Sequence, residues 1–148
     1  MSAGKELFST KLRELEQEHE RIRSRLRLCQ LADRHQVRQE LDCLTREIDE
    51  TDAALQMAAD TSHSPAVAAL SAVQLEYQQR MEAILREKLP RYLHCAATDT
   101  ASDRAEAAAL YAEYAMDFAA QAMRRALQSA LAAVELQLDL EETEAAAT

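Results

Sequence analysis

An all-α fold follows from three features of the 148-residue sequence. Apolar side chains recur at steps of three and four along almost its whole length, the spacing that lines one face of a helix. Gly and Pro together contribute three residues, Gly4, Pro65 and Pro90, where a globular chain devotes about 12% of its residues to that pair. So few turn-formers cannot serve the corners of a sandwich or barrel, nor the glycine-rich loops of a doubly wound sheet. Ala supplies 17 of the 48 residues after Thr100, and Ala is the least costly residue to order in a helix. The predicted architecture is an antiparallel up-down four-helix bundle, one domain over residues 1–141. At this length a chain buries roughly 70% of its unfolded surface, enough for one core.

The first helix is expected at residues 5–31. Phe8, Leu12, Leu15, His19, Ile22, Leu26 and Cys29 alternate steps of four and three, an a/d seam along one face. The pattern resumes at Val37, Leu41, Leu44, Ile48 and Leu55, with an eight-residue step from Cys29 to Val37, so the seam slips by one position. Asp33 and Gln36 have the spacing of a capping box that opens a second helix, expected at 33–60. The alternative is one continuous helix of about 55 residues, some 80 Å long at 1.5 Å per residue. That would make a three-helix arrangement whose long arm requires a second copy for cover, hence a dimer.

Ser64 followed by Pro65 reads as an N-cap and first helical position, where the missing proline N–H costs nothing. A third helix is therefore expected at 65–97, its apolar face carried by Val67, Leu70, Val73, Tyr77, Met81, Ile84, Leu85 and Leu89, with a kink at Pro90. Asp103 and Glu106 form another capping-box pair, and nothing interrupts the chain from there to about Leu140, so the fourth helix is expected at 103–141. Ala115 and Ala119, then Ala122, Ala126 and Ala130, repeat every fourth residue and allow a neighbouring backbone to approach closely. The acidic end, residues 142–148, loses its apolar face and is expected to fray.

Seventeen Lys and Arg against 26 Asp and Glu give a net charge of −9. A field of that sign repels phosphate backbones and anionic membrane surfaces, so neither nucleic acid nor membrane is expected as a partner. The longest apolar run, residues 107–112, holds six residues, against roughly 20 for a spanning helix. Three Cys without close spacing, Cys29, Cys43 and Cys95, fit a reducing compartment, and the chain is read as soluble and cytoplasmic.

The chemistry-bearing residues are sparse. Glu16 and His19 have the offset of a carboxylate-bridged metal pair, but ferritin-like bundles use two such motifs and two further Glu, and only one motif is present. His94 and Cys95 resemble a base beside a nucleophile, yet adjacent helical residues point about 100° apart. No phosphate-binding loop, dinucleotide fingerprint, serine elbow or cysteine metal box occurs, so no catalytic residue, cofactor or metal is assigned. Two groups remain as partner contacts. Arg21, Arg23, Arg25 and Arg27 make the only basic cluster, which could grip an acidic partner, although Glu18 and Glu20 stand ready to pair with Arg21 and Arg23. Tyr111, Tyr114 and Phe118 share a helical face, and serve either as core or as a binding surface.

The expected role is a non-enzymatic protein-interaction or assembly module, acting on a protein partner or by self-association, with a homodimer as one form. The alternatives are a small acidic chaperone or adaptor that shields a partner's helix, and a metal-binding bundle using His19, His35 and His94.

Overall fold

The computed structural model describes residues 8–148, apart from the Cys29 side chain. It is an all-helical bundle protein with no strand among the described residues. The helices are α1 (Ser9–Leu31), α2 (Arg34–Thr61), α3 (Pro65–Ala83), α4 (Leu89–Leu93) and α5 (Thr100–Ala147), with a π-helical turn at Ile84–Lys88 between α3 and α4. The expected start of the first helix at residue 5 lies outside the described residues.

Two compact units form. One comprises the residues up to Ala32 together with Ala115–Thr148; the other is Asp33–Tyr114. Within the second unit, α2 and α3 pack together across the short loop of Ser62, His63 and Ser64, as a helical hairpin. Its buried positions are Ser71 and Leu75 on α3 and Asp103 and Ala107 on the first turns of α5.

The break before α2 follows the local chemistry. Ala32 and Asp33 are extended, Gln36 N donates to Asp33 Oδ1 at 2.9 Å, and Asp33 N donates to Gln36 Oε1 at 3.1 Å. Each member of the box satisfies an amide the helix leaves unpaired. The single 55-residue helix therefore does not form. At the next junction Ser64 accepts from Val67 N at 3.4 Å, and Pro65 occupies the first turn of α3 as its fixed φ requires.

The third segment departs from expectation in two ways. Instead of a simple kink at Pro90, the strain is taken up one turn earlier, where Leu89 N bonds Ile84 O five residues back. A proline ring collides with the carbonyl four residues before it, and one extra residue in the turn is a recognised way to absorb such a conflict. The helix then ends at Leu93 rather than at residue 97, because His94 is extended.

Helix α5 also differs at both ends. It starts at Thr100, capped by Asp99, whose Oδ1 accepts from Ser102 N at 2.7 Å. Asp103, expected to be the cap, is instead buried inside the helix and engaged elsewhere. Both aspartates stand three residues before a possible donor, so spacing alone does not choose between them. At the other end α5 continues to Ala147 instead of fraying at residue 142. Glu and Ala dominate this stretch and no breaker occurs in it.

Candidate interaction surface on α1 and α5

In the first unit, α1 and the C-terminal arm of α5 run antiparallel and line a common trough without packing as closely as α2 and α3 do. Phe8, Leu12 and Leu15 face Met123, Leu127 and Ala130 across an open apolar groove of about 510 Å³. Further along, Ile22 and Leu26 face Met116, Ala119 and Ala120 across a second hollow of about 360 Å³. The 4-3 spacing of α1 and the small residues of α5 together create this trough: large knobs on one wall stand opposite alanines on the other. Lys11, Arg124, Arg23 and Arg27 border it.

The trough is not closed. Among the described residues of this unit no side chain is buried, and Leu12, Leu15, Ile22, Leu26, Met116, Met123 and Leu127 are all substantially exposed, Leu127 at 51%. Apolar surface of this extent, contiguous and bordered by charge, is what interaction sites look like on soluble proteins.

The arginine strip runs beside the groove. Arg21 Nη1 lies 2.9 Å from Glu18 Oε2, and Arg23 Nη1 lies 3.9 Å from Glu20 Oε1. All four side chains of these pairs are exposed, so each pair contributes well under about 1 kcal/mol and yields readily to a better partner. Arg25 also has an interaction partner, and Arg27 joins Arg23 on the rim of the groove. The aromatic group divides. Tyr111 is half-buried, and burial, with the nearby Tyr77 and Glu82 of α3, pushes its hydroxyl above the ordinary tyrosine range, so it stays neutral. Tyr114 and Phe118 are more exposed.

A polar cluster missed in the sequence closes the loop between α4 and α5. His94 Nδ1 donates to Asp103 Oδ2 at 2.5 Å, and Thr98 Oγ1 donates to Asp103 Oδ1 at 2.5 Å. Cys95 N in turn donates to Thr98 Oγ1 at 3.2 Å. Asp103 is 3% exposed, and its carboxyl is held below the ordinary range chiefly by the Thr98 hydrogen bond, then by the His94 hydrogen bond and charge. Two charge-assisted bonds thus tie the loop to the start of α5. The Cys95 thiol lies 3.7 Å from Thr98 Oγ1, so both His94 and Cys95 engage partners within this loop cluster. No local spacing signals this cluster, since its parts meet only through a non-helical loop.

Cys43 and Cys95 are not in disulfides. Among the described residues no three His, Cys, Asp or Glu side chains group in a way that could hold a metal ion, so Glu16 and His19 find no further ligands. No described helix is long and apolar enough to cross a membrane.

Comparison with known protein families, curated proteins and solved structures gives no match for this chain.

Proposed function

We propose that this protein is a non-enzymatic helical interaction module, and that its working surface is the open face of α1 and the C-terminal arm of α5. The observation that carries this is the uncovered seam: side chains spaced for helix-on-helix packing line a groove that the unit itself does not fill. Burying apolar surface is worth about 25 cal/mol per Å², so a long amphipathic helix laid into this groove gains strongly. Binding of that kind is read through anchors at helical spacing, which Leu12, Leu15, Ile22 and Leu26 supply.

Site-specific photo-crosslinking tests the role. A photoreactive side chain at Leu131 or Leu138, in the cells that express the protein, is expected to crosslink to a polypeptide. The same group at Gln121, an exposed α5 position outside both hollows of the trough, is expected to give none. Absence of crosslinks from both leucine positions, or equal labelling from Gln121, overturns the proposal.

A further inference from the structure

We infer that the occupant of the α1–α5 face is a second copy of this chain, docked about a two-fold axis that passes close to Leu127; this rests on the interaction role proposed above. Area is the first support. The chain exposes 12542 Å². A compact protein of its mass exposes about 7,600 Å², and the same mass in two separate compact bodies still only about 9,100 Å². The surplus of roughly 3,000 Å², spread over the whole chain, exceeds the ~800 Å² that each partner contributes to a standard interface.

The second support is an overhang. Because Phe8 and Leu12 sit opposite residues near Leu127 and Ala130, α5 from about Leu131 onward runs past the described start of α1. The seam does not stop there: Leu127, Leu131, Val134 and Leu138 continue at steps of four, three and four. Leu131, Val134 and Leu138 share one face of α5, with Leu131 61% and Leu138 49% exposed. This is half of a helix pair with the other half missing from the chain's own described fold.

Charge supplies the third support and sets the register. The last 11 residues of α1 hold four Arg and no carboxylate, whereas the last 17 of α5 hold five carboxylates and no base. Within one copy these segments cannot meet. Arg23 and Arg27 lie level with Met116 and Ala120, and Glu135 is 15 residues beyond Ala120, about 22 Å along the helix. A two-fold axis through Leu127, perpendicular to the helices, exchanges the level of residue 118 with that of residue 136. It lays the overhang of each copy along α1 of the other, Leu131, Val134 and Leu138 over the open seam and Glu135, Asp139 and Glu142 beside the arginine strip. The contact is self-complementary and closes at two copies, giving four helices in contact, two from each chain.

Sedimentation equilibrium on the full chain is expected to show a species of about twice the 16.6 kDa chain mass, weakened by added salt because its charge pairs are exposed. L131D/L138D is expected to be monomeric with its helical circular dichroism retained, since these positions lie beyond the α1 groove. E135R/D139R is expected to dissociate about tenfold more readily, and adding R23E/R27E to it is expected to restore the dimer. A wild-type monomer at every concentration overturns the inference, as does a dimer indifferent to both sets of changes. Crosslinks from Leu131 to a different polypeptide alone reject the second copy and leave the interaction role standing, whereas no crosslink removes both.

Discussion

Leu75→Ala tests how the hairpin unit is held together. Leu75 is the one large apolar side chain buried among the described residues, at 8% exposure, and it shares α3 with Leu70, which is 73% exposed. Truncation to Ala removes three carbon groups at about 0.8 kcal/mol each, close to 2.4 kcal/mol of transfer free energy. Partial collapse of the space left behind adds a cavity cost, bringing the expected loss to about 3 kcal/mol. For a unit the size of Asp33–Tyr114, that corresponds to a fall in Tm of roughly 15 °C. Leu70→Ala, on the same helix with the same change in composition and helix propensity, is expected to cost less than about 0.5 kcal/mol. Urea titration followed at 222 nm, with slopes compared to confirm that the transition keeps its form, measures both. Equal losses from Leu75 and Leu70, or a loss below about 1 kcal/mol from Leu75, would refute the assignment of the core.

Two further predictions concern the helix junctions. Asp33→Ala removes the side-chain acceptor of the capping box and is expected to cost about 1 kcal/mol, with faster amide exchange over the first turn of α2 measured by mass spectrometry; unchanged exchange at Gln36 would count against the box. Asp103 has a folded pKa below its ordinary value of 3.8, so its contribution to stability is present above that value and is lost as pH falls through the lower folded pKa. Asp103→Asn is therefore expected to lower stability at neutral pH and to flatten this part of the acid transition. Thr98→Val is expected to move the Asp103 titration back toward 3.8 because it deletes the largest cause of the shift. Carbon-detected NMR titration of the Asp103 carboxyl gives the direction, and an unmoved titration in Thr98→Val would reject Thr98 as that cause.

The helical class, the break before α2 and the start of α3 were legible because each depends on residues close together in the chain. Asp33 finds Gln36 three residues on, and Ser64 with Pro65 opens α3 within one turn; such bonds form in almost any tertiary setting. The first turn of α5 was misread for the same local reason: Asp99 and Asp103 carry nearly the same short-range signal, and only burial tells them apart. Burial of Asp103 depends on His94 and Thr98 arriving through an irregular loop, which periodicity does not encode. The acidic end, expected to fray because it carries no apolar seam, stays helical to Ala147, since its Glu and Ala residues favour helix without any packing.

By itself, then, the sequence determined that the chain must be helical, where most helices begin, and which residues carry the apolar seams, since these are consequences of propensity, capping and a 3.6-residue period. Tertiary structure alone decided which seams are covered. It placed Ser71, Leu75, Asp103 and Ala107 inside one unit and left the α1–α5 trough open in the other, because burial is a property of what packs across a face and not of the face. An amphipathic stripe states only that something must cover it. The two-unit division and the reach of α5 past the described part of α1 are what turn that requirement into a surface with a length and a charge.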